Sequence, residues 1–155
     1  MGIKFFLFLT LSFSYSVSAE QISIMSYNLN NLFDAKDDPG KDDKAYLPIA
    51  LKNNDDHILG CLQVKNSKWR NECLFLDWNE EVVQKKISNI SDLLISMSES
   101  QPDIIAIQEI ENLNVLRMLF KKIEALGYTD FALIEGEDYR GIDNAIISKL
   151  SLIHI

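Results

Sequence analysis

The feature that most restricts the fold is the run Ile104-Ile105-Ala106-Ile107. Four consecutive apolar residues directly after the turn signal Pro102-Asp103 describe a strand covered on both faces, not one with a wet side. Segments of helical spacing flank it. Val83, Ile87, Ile90, Leu94 and Met97 recur upstream at steps of four and three, and Leu116, Leu119, Phe120 and Ile123 share one helical face downstream. A buried strand between two amphipathic helices is the pattern of an α/β fold.

The ends of these helices carry their own signals. Asp77 and Glu80 have the spacing of a capping box, and the first helix should stop near Ser100 because Pro102 disfavours helical geometry in Gln101. The second has Lys121 and Lys122 at its negative terminus and Gly127 placed to end it. Ile22 to Tyr27 alternates apolar with small polar residues and reads as a leading strand, with Asn28 at its carboxyl end. Phe131–Ile134 and Ala145–Ile147 read as two more strands around the polar turn 135–141, and 151–155 opens a further apolar run.

Between Asp34 and Asp77 the periodicity fades. Asp37 to Asp43 is a strong turn signal and is expected to be a solvated turn, since its spacing does not match an EF-hand loop, with a calcium site as the alternative. A structureless loop of this length is uncommon in a compact domain. Short helical turns are therefore expected around Ile49 to Leu62, pinned by a disulfide between Cys61 and Cys73, with two buried thiols as the alternative. His57 falls in this segment and is expected at the surface.

The amino terminus has the composition of an export signal. Lys4 supplies a charge, Phe5 to Val17 an uncharged apolar stretch, and Val17-Ser18-Ala19 the small residues that a signal peptidase reads. Cleavage is expected between Ala19 and Glu20, giving a secreted or periplasmic protein, because the stretch falls short of the roughly 20 apolar residues that span a bilayer. Residues 20–155 are enough for one modest domain. Without Lys4 they hold 14 Lys and Arg against 23 Asp and Glu, a formal charge of −9, which argues against binding nucleic acid through bulk electrostatics. A polyanionic substrate would need a local patch or a metal ion.

The strand-helix-strand order from Ile22 to Gln108 suggests a βαβ unit with parallel strands. Asn28 and Glu109 then project from the same edge of the sheet, where α/β folds place ligand sites. The carboxylate can hold Mg²⁺ and the amide can donate to a phosphate oxygen or orient a carboxylate. By themselves the two are a weak signal: a strand-end Asn most often serves a turn, and Glu109 could favour the start of the next helix.

Three segments add to this. Tyr27-Asn28-Leu29-Asn30-Asn31-Leu32-Phe33-Asp34 resembles the opening motif of bacterial endonuclease/exonuclease/phosphatase proteins. Pro102 to Glu109 resembles that family's second motif, a buried strand ending in Gln-Glu, and Arg140-Gly141-Ile142-Asp143 before Ala145-Ile146-Ile147 is similar to a third segment of exported members. The resemblance implies a four-layer α/β/β/α sandwich of the deoxyribonuclease I type, of which this chain supplies about the first half. It implies that Glu109 is a ligand of Mg²⁺ or another divalent cation and that Asn28 belongs to the hydrogen-bond network around metal and phosphate. Arg140 would approach the substrate phosphate, a solvated turn arginine being the alternative, and Asp143 would support that turn. Asn144 departs from the pattern, which has an apolar residue there, and leaves the pairing of its strand open.

The family's mid-domain histidine, Gly-Asp-Phe-Asn and Ser-Asp-His segments do not occur in this sequence. Neither His57 nor His154 stands in a motif that would make it the base. The expectation is a domain truncated at its carboxyl end: a phosphodiester hydrolase of nucleic acid when intact, inactive alone, and able to associate through an exposed inner sheet face. A phosphatase or phospholipid head-group phosphodiesterase is the alternative within the class, and a non-catalytic binding module the alternative outside it.

Overall fold

The computed structural model describes residues 21–152, so the expected export signal and His154 lie outside the described residues. Four strands form one sheet: β1 (Ile24–Leu32), β2 (Ile104–Ile110), β3 (Asp130–Ile134) and β4 (Asp143–Ser148), in the order β1-β2-β4-β3. β1 and β2 are parallel, Ile24 opposite Ile104 through Asn28 opposite Gln108, as the βαβ reading requires. β4 runs antiparallel to both β2 and β3. Asn144 lies opposite Gln108 and Ile134, directly beside a register shift in β2, and its side chain is exposed, which resolves the pairing left open by its polarity.

Four helices precede or separate the strands: α1 (Asp55–Leu62), α2 (Ser67–Phe75), α3 (Glu80–Ser96) and α4 (Leu113–Ile123). α3 and α4 pack on each other and on β1 and β3. Their buried stripes, Val83, Ile87, Ile90 and Leu94 on one and Val115, Leu116, Leu119 and Ile123 on the other, meet Ile105, Ile107, Ala145 and Ile147 of the sheet. Each fully buried Leu or Ile stabilises the fold by about 2 kcal/mol, more than the helix propensities of the same residues differ, so packing decides where these helices lie. Gly127, at φ +90°, ends the short 3₁₀ turn after α4. The segment Ser98–Ser100 is likewise 3₁₀, so α3 proper stops at Ser96.

The cap of α3 corrects the sequence reading. Asn79, not Asp77, is the N-cap, and its Oδ1 accepts from the Val82 amide at 3.1 Å. Asp77 turns outward from the helix to accept from the Ile49 amide at 2.8 Å. Asn79→Ala should therefore lower stability by about 1 kcal/mol, measured by urea unfolding, while Glu80→Ala should cost less.

β2 also departs from expectation. Ile105, Ile107 and Ile110 are buried, but Ile104, Ala106 and Gln108 are only half covered. The helices lie on one face, and among the described residues no layer covers the other, which carries Ile24 and Ile134, each 67% exposed at the outer strands. The continuous apolar run thus has one face packed on the helices and one face only half covered.

The segment 34–77 is more ordered than its composition suggests. α2 had no legible periodicity; Asn66 caps it by accepting from the Lys68 and Trp69 amides. The expected disulfide joins Cys61 of α1 to Cys73 of α2. His57, expected at the surface, is buried against it, Nε2 lying 2.9 Å from the Cys73 carbonyl oxygen and 3.2 Å from Cys61 Sγ. The reason is helical spacing: residue 57 lies one turn before Cys61, on the face that the disulfide draws inward.

Candidate active site

The carboxyl ends of β1, β2 and β3 and the amino end of β4 share one edge of the sheet. There the β2 ladder is interrupted, Gln108 pairing with Asn144 and Ile110 with Asp143 while Glu109 bulges out at φ +59°. A bulge re-aims a side chain, and this one turns Glu109 across to β1. Asn28 Nδ2 donates to Glu109 Oε1 at 3.0 Å and the Asn31 amide donates to Oε2 at 3.0 Å. The sequence-derived pair therefore meets directly.

β1 is contorted to make this contact. Asn30 and Asn31 both have positive φ, +53° and +62°, a region that Asn tolerates better than most residues. Asn28 stabilises the turn with its other amide atom, Oδ1 accepting from the Asn30 amide at 2.7 Å. Lys86 of α3 completes it, Nζ donating to the Asn30 and Asn31 carbonyls at 2.6 and 3.0 Å. Its ammonium also lies 5.2 Å from the Trp78 ring centroid. Burial holds the Lys86 pKa below the usual lysine value, partly opposed by the charge of Glu109. Lys86 was not found from sequence; the only signal is its place beside Ile87 at the margin of a buried stripe.

Aromatic rings support the turn from beneath. Phe33 stacks on Tyr46 at 4.0 Å, Tyr46 meets Trp78 edge-on at 5.2 Å, and Trp78 Nε1 donates to the Phe33 carbonyl. Three residues held at positive φ each cost about 1 to 3 kcal/mol and persist only where surrounding contacts impose them.

Arg140 is on the loop between β3 and β4 at the same edge, but its guanidinium grips Asp138 through Nε and Nη2 at 3.1 and 3.0 Å. Asp138 raises its pKa most, and Glu109 adds a smaller contribution in the same direction. Asp143 supports the loop as expected, Oδ1 accepting from the Gly136 amide at 2.7 Å.

Glu109 suits a hard divalent cation. Each oxygen takes a single hydrogen bond, no Lys or Arg among the described residues ion-pairs with it, and Asn31, whose amide holds Oε2, has a buried Oδ1 without a partner. The carboxyl edge of parallel strands is where α/β folds place their ligand sites. The chain is a member of the endonuclease/exonuclease/phosphatase family, whose match covers residues 71–155 and so takes in Glu109 and Arg140 but not Asn28. No curated protein and no solved structure gives a significant match.

Beside this edge lies a second group of acids, of which Asp43 was expected in a solvated turn. Asp34, Asp43 and Glu111 are buried. Burial raises the Asp43 pKa to about 6, with Asp37 and Asp38 adding repulsion, and raises Glu111 to about 9, with Asp34, Asp38 and Asp43 adding to it. Both folded values lie above those of the unfolded chain, so the native state holds more protons between them. In a chelator, the contribution of these two acids to stability should be greatest below about pH 4, should fall as pH rises through 6 towards 9, and should level off above. Melting in EDTA between about pH 5 and 9 tests this; a midpoint that rises with pH over that range would contradict it.

Proposed function

We propose that this chain carries the metal- and phosphate-binding part of a Mg²⁺-dependent phosphodiester hydrolase that acts on extracellular nucleic acid. The observation that carries the reading is the grip on Glu109: a strained carboxylate with one donor on each oxygen, both from β1. Strain of this kind is retained where a side chain must be aimed.

Glu109 would hold the cation, and Asn28 would fix the carboxylate plane. A bound Mg²⁺ would supply Lewis-acid polarisation of a phosphoryl oxygen. Lys86 would keep the rim electropositive within an acidic protein, and Arg140 would reach a substrate phosphate only by leaving Asp138. His57 is committed to the disulfide region and does not serve as base. Export after cleavage at Ala19 is part of the same reading.

The open sheet face supports a second element of it. Ile24, Ile104, Ile146 and Ile134 line this face, and a covering layer or partner would bury them.

The test is calorimetric titration of the full chain with Mg²⁺, and hydrolysis of plasmid DNA with Mg²⁺ and with EDTA, each repeated after Glu109→Ala. Cation binding lost in the variant supports the reading, and metal-dependent cleavage lost with it would extend it to the reaction. A soluble, folded monomer that neither binds the cation at Glu109 nor cleaves would replace it with a non-catalytic module.

A further inference from the structure

The loop that follows β1 folds Asp34, Asp38 and Asp43 towards Glu111, at the first residue after β2. Asp43 is 1% and Glu111 3% exposed, and Asp43 Oδ1 and Glu111 Oε1 accept no hydrogen bond. Their other oxygens are used: Asp43 Oδ2 accepts from the Asp38 amide at 2.8 Å, and Glu111 Oε2 accepts from the Asp34 amide at 2.7 Å. The remaining donors are neutral amides. Asn114 Nδ2 reaches Asp34 Oδ2 at 2.9 Å, and Asn112 Nδ2 is spread over Asp34, Asp38 and Glu111 at 3.3, 3.5 and 3.2 Å. None of the four carboxylates has an ion pair among the described residues.

Buried carboxylates are ordinarily paired with a cation or coordinate a metal. Here the fold turns three of them together with the half-buried Asp38, gives none an ion pair, and leaves two buried oxygens without a donor. We propose that Asp34, Asp38, Asp43 and Glu111 form a structural Ca²⁺ site, separate from the Glu109 and Asn28 rim. Oxygen-only donors exclude the nitrogen and sulfur preference of Zn²⁺. Ligands on an irregular loop suit Ca²⁺, which takes six to eight oxygens at flexible geometry, better than Mg²⁺, which demands near-ideal octahedra and keeps its waters.

Among the described residues, only His57, Cys61 and Cys73 place three such ligand atoms within 4.8 Å of one another. The acid cluster must therefore contract as the ion enters. The loop has the freedom to do so: Gly40 sits at φ +85° with nothing within 4 Å of the place a Cβ would take. Contraction would also act at a distance. The Asp42 amide donates to the Tyr139 carbonyl at 2.9 Å, so ordering residues 34–43 steadies the loop that carries Arg140.

The test uses the full chain, freed of metal with EGTA, and Ca²⁺ alone as probe. Millimolar Ca²⁺ should raise the Tm by about 5 °C or more and should release measurable heat on titration. Asp43→Asn and, as a second variant in case the first misfolds, Glu111→Gln should each abolish most of the shift. Glu109→Gln should keep it. A wild-type Tm and titration unmoved by Ca²⁺, with Asp43→Asn simply more stable, would mean that the cluster holds protons and would overturn the proposal. A shift lost in Glu109→Gln yet kept in Asp43→Asn would overturn it too, by placing the ion at the rim.

Discussion

Replacing Glu109 is expected to remove divalent-cation binding at the strand edge while leaving the fold intact. Glu109→Ala should weaken Mn²⁺ affinity, read by electron paramagnetic resonance titration, by more than the roughly 10- to 100-fold expected of a supporting residue. Asn28→Ala supplies that comparison, because Asn28 orients the carboxylate through Nδ2 and holds the Asn30 turn through Oδ1. The order of effects distinguishes ligand from support. Glu109→Gly adds an independent sign: it frees the φ +59° position from its Cβ penalty, so stability should rise by about 1 kcal/mol even as binding disappears. Affinity equal to wild type in Glu109→Ala would end the assignment. A loss of stability in Glu109→Gly would show that the carboxylate's two hydrogen bonds outweigh the strain.

The second large effect concerns the disulfide. Cys61 and Cys73 are 12 residues apart, and closing a loop of that size stabilises the native state by about 3 kcal/mol in the chain-entropy account. α1 and α2 pack chiefly on each other and α2 on the turn Lys44–Tyr46, with little purchase on the sheet. The crosslink therefore acts on a part of the molecule with few other anchors. One is Lys52, whose ammonium donates to the Ala45 carbonyl at 2.8 Å and whose pKa burial lowers to about 8. Cys61→Ser with Cys73→Ser, or reduction, should lower the Tm by about 10 °C. Hydrogen exchange should rise first over residues 55–75, ahead of β1 and β2. Simultaneous loss of protection in helices and sheet would show that the pair is integral to one cooperative unit.

Much of the architecture was open to reading because it follows from apolar spacing. The stripes of α3 and α4, the four strands and the stop at Gly127 all express local periodicity or a backbone preference, and each is found near its expected place. The meeting of Asn28 and Glu109 was legible for a different reason: parallel strands of a βαβ unit bring their carboxyl ends to one edge whatever lies between. Where several side chains compete for the same role, pattern misled. Asp77 and Asn79 both suit a helix cap, and geometry chose Asn79 because Asp77 was drawn to Ile49.

Charge was the poorest guide to position. Asp43 looked like a member of a solvated acidic turn, and His57 like a surface residue, yet both are buried. Lys85 and Lys86 are adjacent and chemically identical, and only Lys86 is bound to the backbone of the site.

The sequence by itself determined the class of fold, the family, the crosslink and the two residues at the strand edge, because these depend on periodicity, motif and parallel pairing. Tertiary structure alone decided the bulge that aims Glu109, the lysine that locks the Asn30 and Asn31 turn, and the burial of the acids around Glu111. Local preference is a property of a few neighbouring residues. A charge is buried or exposed only when segments distant in the chain close around it, and the energy that holds it there belongs to no single one of them.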